Sequence, residues 1–241
     1  MQLVCEHVPI STPRIHNLFF DDRHMYIVMD YVDGEDLITL WPKLSLWRKL
    51  YVVWTIRRYI QKLRAWRPPK PDIPGPIDAS GEPVDCECPQ FGEWPQGPFA
   101  NYSELCAWFE HVRALTVDMA KHRFHHEIDE KNLPHFDRST PLVFFIHGDI
   151  SMRNIRVSKD GTVWLLDWGF SGMYPQWFEY VGMMKYRAWI DPHPWLWMFC
   201  IPFMAGWYHK QASFLDKIRI GLQNPFWRIT PVKAPDNRGG E

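Results

Sequence analysis

The 241-residue chain reads as an α+β protein in which a small strand pair precedes a mainly helical remainder. Three observations predict this. Two β-rich runs flank a polar turn near the start, and two long segments carry apolar residues at helical spacing. Further on, an apolar strand runs into a polar loop and then a strand-turn-strand.

The first elements are strands from Arg14 to Phe20 and from Met25 to Tyr31, joined by Asp21-Asp22-Arg23. Two strands alone are marginal, so their open edge is either an aggregation liability or a place for a protein partner. Ser45 is placed to cap the first long helix. There Leu46, Leu50, Val53, Trp54, Ile60 and Leu63 recur at helical spacing, while Arg48, Lys49, Arg57, Arg58 and Lys62 fill much of the remainder.

Residues 67–101 are dense in proline and glycine. A loop this long is either functional or a mobile surface segment. Ser103 is expected to cap a second helix running to about His126, with Leu105, Trp108, Phe109, Val112, Leu115 and Met119 as its core stripe. A further helix starts after Pro175, and others cover Pro194 to Gly206 and Ala212 to Gly221. The polar tail from Pro231 to Glu241 is expected to fray.

Composition removes several classes of function. A net charge of -1 gives no electrostatic footprint for nucleic acid. Five cysteines, an odd number among apolar neighbours, point to a reducing, cytoplasmic setting without a disulfide framework. No charged head, apolar stretch and small-residue cleavage site marks a secretory leader. The longest apolar run, Trp195 to Trp207, contains Pro202 and is too short to span a bilayer, which needs about 20 residues; no membrane is expected, and the run reads as a core helix or cleft wall. The fourteen tryptophans are read mainly as packing. Cys86-Glu87-Cys88 lacks the second ligand pair that zinc requires, and His122, His125 and His126 sit among charged neighbours as a solvated helix end.

The chemistry concentrates between residues 142 and 169. An apolar run from Leu142 to Ile146 delivers His147 and Asp149 into a loop; Asn154 opens a strand that turns at Ser158-Lys159-Asp160-Gly161 and returns to Leu166. With Asp160 at the apex, facing residues have numbers that sum to about 320, so Asn154 lies opposite Leu166 and Asp167 lands beside the loop. Singly, each of these residues has an ordinary role in turns or strand ends. At this spacing they suit phosphoryl transfer. Asp149 would orient an acceptor hydroxyl, while Asn154 and Asp167 would hold magnesium, a hard ion that takes oxygen ligands.

His147-Gly148-Asp149 with Asn154, together with Leu166-Asp167-Trp168 and Tyr174-Pro175-Gln176-Trp177-Phe178-Glu179-Tyr180, resembles the aminoglycoside phosphotransferase family, especially its fungal branch. Tyr26 to Leu37 is similar to that family's last N-lobe strand and hinge, and Trp41-Pro42, Leu44-Ser45 and Leu63-Arg64 fit the helix that follows. The resemblance implies a protein-kinase-like fold. Residues 1–32 would be a remnant of the N-terminal lobe, 33–230 a helical C-terminal lobe and 231–241 a tail. It further implies ATP and magnesium as cofactors and a small-molecule substrate. Asp149 becomes the catalytic base, Asn154 and Asp167 the metal ligands and His147 a loop brace, with adenine contacts through the backbone of Asp30, Tyr31 and Val32. By the same likeness, Asp85, Glu87, Phe91, Glu93 and Trp94 of the long loop border the acceptor.

Relatives clamp the nucleotide phosphates with a glycine-rich turn, a lysine and a helix glutamate. Here no glycine precedes Gly34 and no lysine precedes Lys43, and Glu6 without a lysine reads as a surface residue. The expectation is little or no kinase activity in these 241 residues, either as a fragment or as a pseudo-enzyme serving a binding or regulatory role. A metal-assisted hydrolase using His147, Asp149 and Asp167 is disfavoured, because Asp30 to Gly34 would then have no task.

Overall fold

The computed structural model describes residues 1–123, 128, 130–136, 143–185 and 194–223. It opens with a short helix α1 (Gln2–His7) and a ribbon of β1 (Ile15–Phe20) and β2 (Met25–Met29), paired antiparallel from Phe20↔Met25 to Ile15↔Met29. Both predicted strands are present. The side chains of Leu18 to Phe20 and Met25 to Met29 are exposed, so the ribbon's apolar content is unburied within the chain.

The chain next forms β3 (Gly34–Asp36) and α2 (Leu37–Leu40), then the long helix α3 (Leu46–Ala65). The Ser45 side chain accepts from the Arg48 amide, as the N-cap reading requires. The buried stripe of α3 is Val52, Val53, Ile56, Tyr59, Ile60 and Leu63, whereas Leu46, Leu50 and Trp54 of the predicted stripe are exposed. Periodicity placed the apolar positions; it could not tell which of two adjacent apolar faces meets the core.

Residues 67–101 contradict the picture of a mobile surface loop. Cys86 and Gln96 exchange backbone hydrogen bonds, Gly75 does the same with Met173, and Cys86, Cys88, Gln90, Phe91 and Phe99 are buried. Phe91 does not line an acceptor site. Its ring packs against Phe99, Trp108, Phe109, Tyr174 and Phe178, and full burial of such a ring stabilises by about 1.5–3 kcal/mol. The Cys86 thiol is pushed up to about 12 by burial, which leaves it an inert packing group. All five cysteines are free thiols.

Helix α4 (Tyr102–Arg123) starts two residues earlier than predicted. Its cap is Asn101, not Ser103: the Asn101 side chain accepts from the Glu104 amide at 3.1 Å, and Glu104 reaches back to accept from the Ala100 amide at 2.8 Å. These reciprocal bonds satisfy two amides that helix geometry leaves without partners. Leu105, Trp108, Phe109 and Val112 are buried as expected, but Thr116 and Ala120 take the deepest later positions in place of Leu115 and Met119. His122 faces Asp118 at 3.7 Å on exposed surface. His125, His126 and Leu142 lie outside the described residues, as does the tail from Pro231 to Glu241.

Two small sheets then carry the centre of the molecule. Strand β4 (Val143–Ile146) pairs antiparallel with β7 (Gly172–Pro175), while β5 (Ile155–Ser158) and β6 (Val163–Leu165) form a hairpin extended by β3. Helices α5 (Trp177–Lys185), α6 (Trp195–Ala205), α7 (His209–Lys217) and α8 (Arg219–Leu222) complete the described chain. In α6 one face is buried, through Trp197, Cys200, Ile201, Met204 and Ala205, while Trp195, Phe199 and Phe203 are exposed. The reading of that run as a core helix therefore holds for one face only. No helix among the described residues is long and apolar enough to cross a membrane.

Candidate active site

Strand β4 ends at Ile146, and the next three residues turn sharply. Gly148 has φ +84, and a Cβ there would sit 2.5 Å from the Phe170 carbonyl oxygen, so only glycine fits. This closeness is what locks the loop against the segment that follows β6. His147 is fully buried and bridges the two: its Nε2 lies 2.9 Å from the Leu166 carbonyl, and its Nδ1 lies 3.2 Å from the Asp149 amide. The amide can only donate and the carbonyl only accept, which fixes the neutral tautomer with the proton on Nε2. Burial drives the imidazole pKa down to about 4. The ring also packs on Trp168 at 4.5 Å, and the Trp168 indole N–H donates to Thr12 Oγ at 2.8 Å.

The hairpin register agrees with the arithmetic. Ile155 pairs with Leu165 and Arg156 with Trp164, and the Leu166 amide donates to the Asn154 carbonyl at 2.8 Å. Asn154 and Asp149 are in direct contact: the amide Nδ2 donates to the Asp149 backbone carbonyl at 2.9 Å and to its carboxylate at 2.7 Å. Because both acceptors require the nitrogen, the Asn154 amide oxygen must point elsewhere, available to a cation. Asp167 follows Leu166, is exposed, and has φ 59, the sole positive φ outside glycine among the described residues. Aspartate tolerates that region better than most residues, and such outliers gather where function demands a fixed geometry.

Two residues that braced this loop were not assigned roles from sequence. Glu179 on α5 is buried, and its carboxylate accepts from the His147 amide at 2.8 Å and from the Gly148 amide at 3.2 Å. Burial raises its pKa to about 7, opposed by those amides and by the nearby Arg64 guanidinium. Arg64 in turn donates to the carbonyls of Gln176 and Ala205 at 2.9 and 2.7 Å. The available signal was an acidic residue alone in the apolar run from Met173 to Met184.

The hinge-like segment is tied to the same hairpin. Gly34 pairs with Ser158, and Arg156 donates to the Gly34 carbonyl at 2.8 Å while its guanidinium lies over the Tyr31 ring at 5.8 Å. Asp30 holds β1, accepting from the Arg14 amide at 3.0 Å and meeting His16 at 2.6 Å; Tyr31 is exposed and Val32 buried. A cavity of about 370 Å³ opens beside the hinge, between the hairpin tip and α3, and none of Asp149, Asn154 or Asp167 lines it. No group of three or more His, Cys, Asp or Glu side chains suited to a metal gathers among the described residues.

A model of the phosphotransferase enzyme family, APH, matches residues 1–207. The chain belongs to that family. No curated protein sequence matches it. Among solved structures, the choline kinase LicA of Streptococcus pneumoniae is 14% identical over 92% of this chain, with TM-score 0.43; the chain spans 66% of that protein's length. Aminoglycoside phosphotransferase APH(3'')-Id of Streptomyces rimosus, solved with ADP and streptomycin, is 14% identical over 92% of this chain and 79% of its own, with TM-score 0.47. Macrolide 2'-phosphotransferase MphH of Brachybacterium faecium is 9% identical over 91% and 70%, with TM-score 0.44. Within the phosphotransferase family, the α+β, kinase-like fold class read from the sequence holds for this chain.

Proposed function

We propose that this chain supplies the catalytic-loop half of an ATP- and magnesium-dependent phosphotransferase that acts on the hydroxyl of a small molecule. The observation that carries the reading is the contact between Asn154 and Asp149 at 2.7 Å at the open end of the β5–β6 hairpin. Asp149 Oδ2 is oriented by the Asn154 amide, and the backbone of Asp149 is held by neutral His147. The carboxylate is thereby positioned to take the proton of an acceptor hydroxyl as that oxygen attacks the terminal phosphorus of the nucleotide. The Asn154 amide oxygen and the Asp167 carboxylate form a hard-oxygen pair of the kind magnesium uses beside phosphate oxygens and water. Bound there, magnesium would neutralise charge on the transferring phosphoryl group. Asp30, Tyr31 and Val32 are the proposed adenine-facing backbone, since β2 leaves its ladder at Met29 and the next residues join the hairpin through Gly34.

The exposed apolar side chains of the β1–β2 ribbon favour a second reading, a nucleotide-binding or regulatory module with that ribbon as a place for a protein partner.

Magnesium-dependent ATP turnover and melting with MgATP separate the two readings. An enzyme shows slow turnover that Asp149→Asn lowers by about 10²–10⁴, with the melting shift retained. A binding module shows the shift alone, about 2.7 kcal/mol at a hundredfold excess over Kd. Absence of both turnover and shift would refute the nucleotide assignment altogether.

A further inference from the structure

The strongest unexplained surface lies where α3 and α6 pack side by side. On α3, Trp47, Leu50, Tyr51 and Trp54 recur at i, i+3, i+4 and i+7 and are all exposed, Trp47 at 80%. On α6, Trp195 and Phe199 stand out at 78% and 76%, and Phe203 continues the row. The two rows are one surface: Trp54 and Phe203 rings lie 6.2 Å apart, and a groove of about 430 Å³ runs between the helices, lined by Leu50, Val53, Trp54, Phe199, Cys200 and Phe203. Singly exposed apolar residues are ordinary, but a contiguous aromatic patch marks an interaction site.

Charge decides what the surface fits. Helix α3 carries six cations and no Asp or Glu, and α6 carries no charged residue at all. Arg64 is turned inward and Arg48 lines the cavity shared with Asp33, Glu35 and Asp160, but Arg58 is exposed and Arg57 lies 4.5 Å over the Phe203 ring at the border of the patch. Indole rings with a polar N–H and an apolar body, bordered by cations on a helix that carries no acidic residue, match the boundary between lipid headgroups and acyl chains.

We propose that the α3–α6 face is a peripheral membrane-binding surface that seats on anionic phospholipid. Trp47, Trp54, Trp195 and Phe199 enter the headgroup layer, and Arg57 and Arg58 meet lipid phosphates. This surface rests on the bilayer and crosses nothing, in keeping with the length of α6. The inference stands apart from the phosphotransferase reading, and its test does not use activity.

The test is cosedimentation of the purified chain with vesicles of phosphatidylcholine alone and of phosphatidylcholine with 30 mol% phosphatidylserine. Binding is expected only to the anionic vesicles, falling as salt rises from 0.05 to 0.5 M. Arg58→Gln should weaken it about fivefold, the factor equivalent to about 1 kcal/mol per surface cation, whereas Arg48→Gln, on the side of the acidic cavity, should change it less. Trp47→Ser with Phe199→Ser should reduce it at least tenfold while melting stays within a few degrees, since both side chains are exposed. Inorganic phosphate should not compete at millimolar concentration, which separates a lipid surface from a simple anion site. No difference between the vesicle types would overturn the proposal. So would a concentration-dependent dimer that the aromatic pair abolishes in the absence of vesicle binding, because the face would then join copies of this chain.

Discussion

Glu179→Gln should tilt the pH dependence of stability in one direction by a calculable amount. In the folded chain the Glu179 carboxyl titrates near 7, against 4.5 for its ordinary value, because it is buried beside Asp149 with only two amides and Arg64 in compensation. Between those limits the folded state keeps the proton and the unfolded chain has released it. Stability therefore falls as pH rises, by about 1.4 kcal/mol per unit and about 3 kcal/mol in all. His147 works the other way. Its folded value near 4 lies below the ordinary 6.5, so the unfolded chain holds the extra proton and stability is lost as pH falls through that window. In the native protein the two slopes largely cancel between about pH 4.5 and 6.5. Glutamine keeps the shape and one acceptor oxygen but removes one slope, so stability relative to wild type should climb by about 3 kcal/mol from pH 4.5 to 7. For a chain of this length that is a relative change in Tm of roughly 6–12 °C. Urea or thermal melts of both proteins across that range read the difference, and every group they share drops out. A flat difference curve would show that Glu179 is not the buried, proton-retaining brace of the loop.

Three further outcomes follow from the same geometry. Gly148→Ala must place a Cβ 2.5 Å from the Phe170 carbonyl at φ +84, so a loss of about 2 kcal/mol or more, seen as a Tm drop of roughly 4–8 °C, is expected; an unchanged melt refutes the tight junction. Trp168→Phe puts a smaller phenyl ring in a buried site and deletes the N–H donated to Thr12, so a loss of about 2 kcal/mol is expected in denaturant melts, about half of it from the hydrogen bond; an unchanged melt refutes the tie. Asp167→Gly relieves a left-handed backbone at φ 59 while adding freedom to the unfolded chain, so stability should stay within about 1 kcal/mol; any magnesium-dependent stabilisation by ATP should vanish.

What could be read from the sequence was local, and the reason is geometric. The β5–β6 register followed from one turn, because a hairpin's pairing is set by its apex; Ile155↔Leu165 then placed Asn154 and Leu166 without knowledge of the rest of the chain. Ser45 as a cap was similarly legible, needing only its own hydroxyl and an amide three residues on. Asn101 is an equally good cap by residue type, and what selects it over Ser103 is Glu104 three residues on, which closes the reciprocal pair. The brace on the His147–Asp149 loop is different in kind. Glu179 reaches His147 across 32 residues, and Thr12 reaches Trp168 across 156, separations over which neither spacing nor periodicity carries information.

The long loop shows why composition misleads at that same distance. Proline and glycine in residues 67–101 correctly forecast irregular backbone, but irregular backbone can still be core when its few apolar side chains find a cavity that helices and strands leave open. Phe91 and Phe99 do so by closing the aromatic cluster of α4, β7 and α5, with Gly75 pairing to the β7 edge. The converse holds on α3, where Val53, Ile60 and Leu63 of the stripe that periodicity marks for the interior are buried but Leu46, Leu50 and Trp54 face out. Burial is a property of the partner surface as much as of the residue. Trp47, Tyr51 and Trp54 stay exposed on a helix whose opposite face is packed, which is why the same α3 serves the core through one stripe and is proposed to meet anionic lipid through the other.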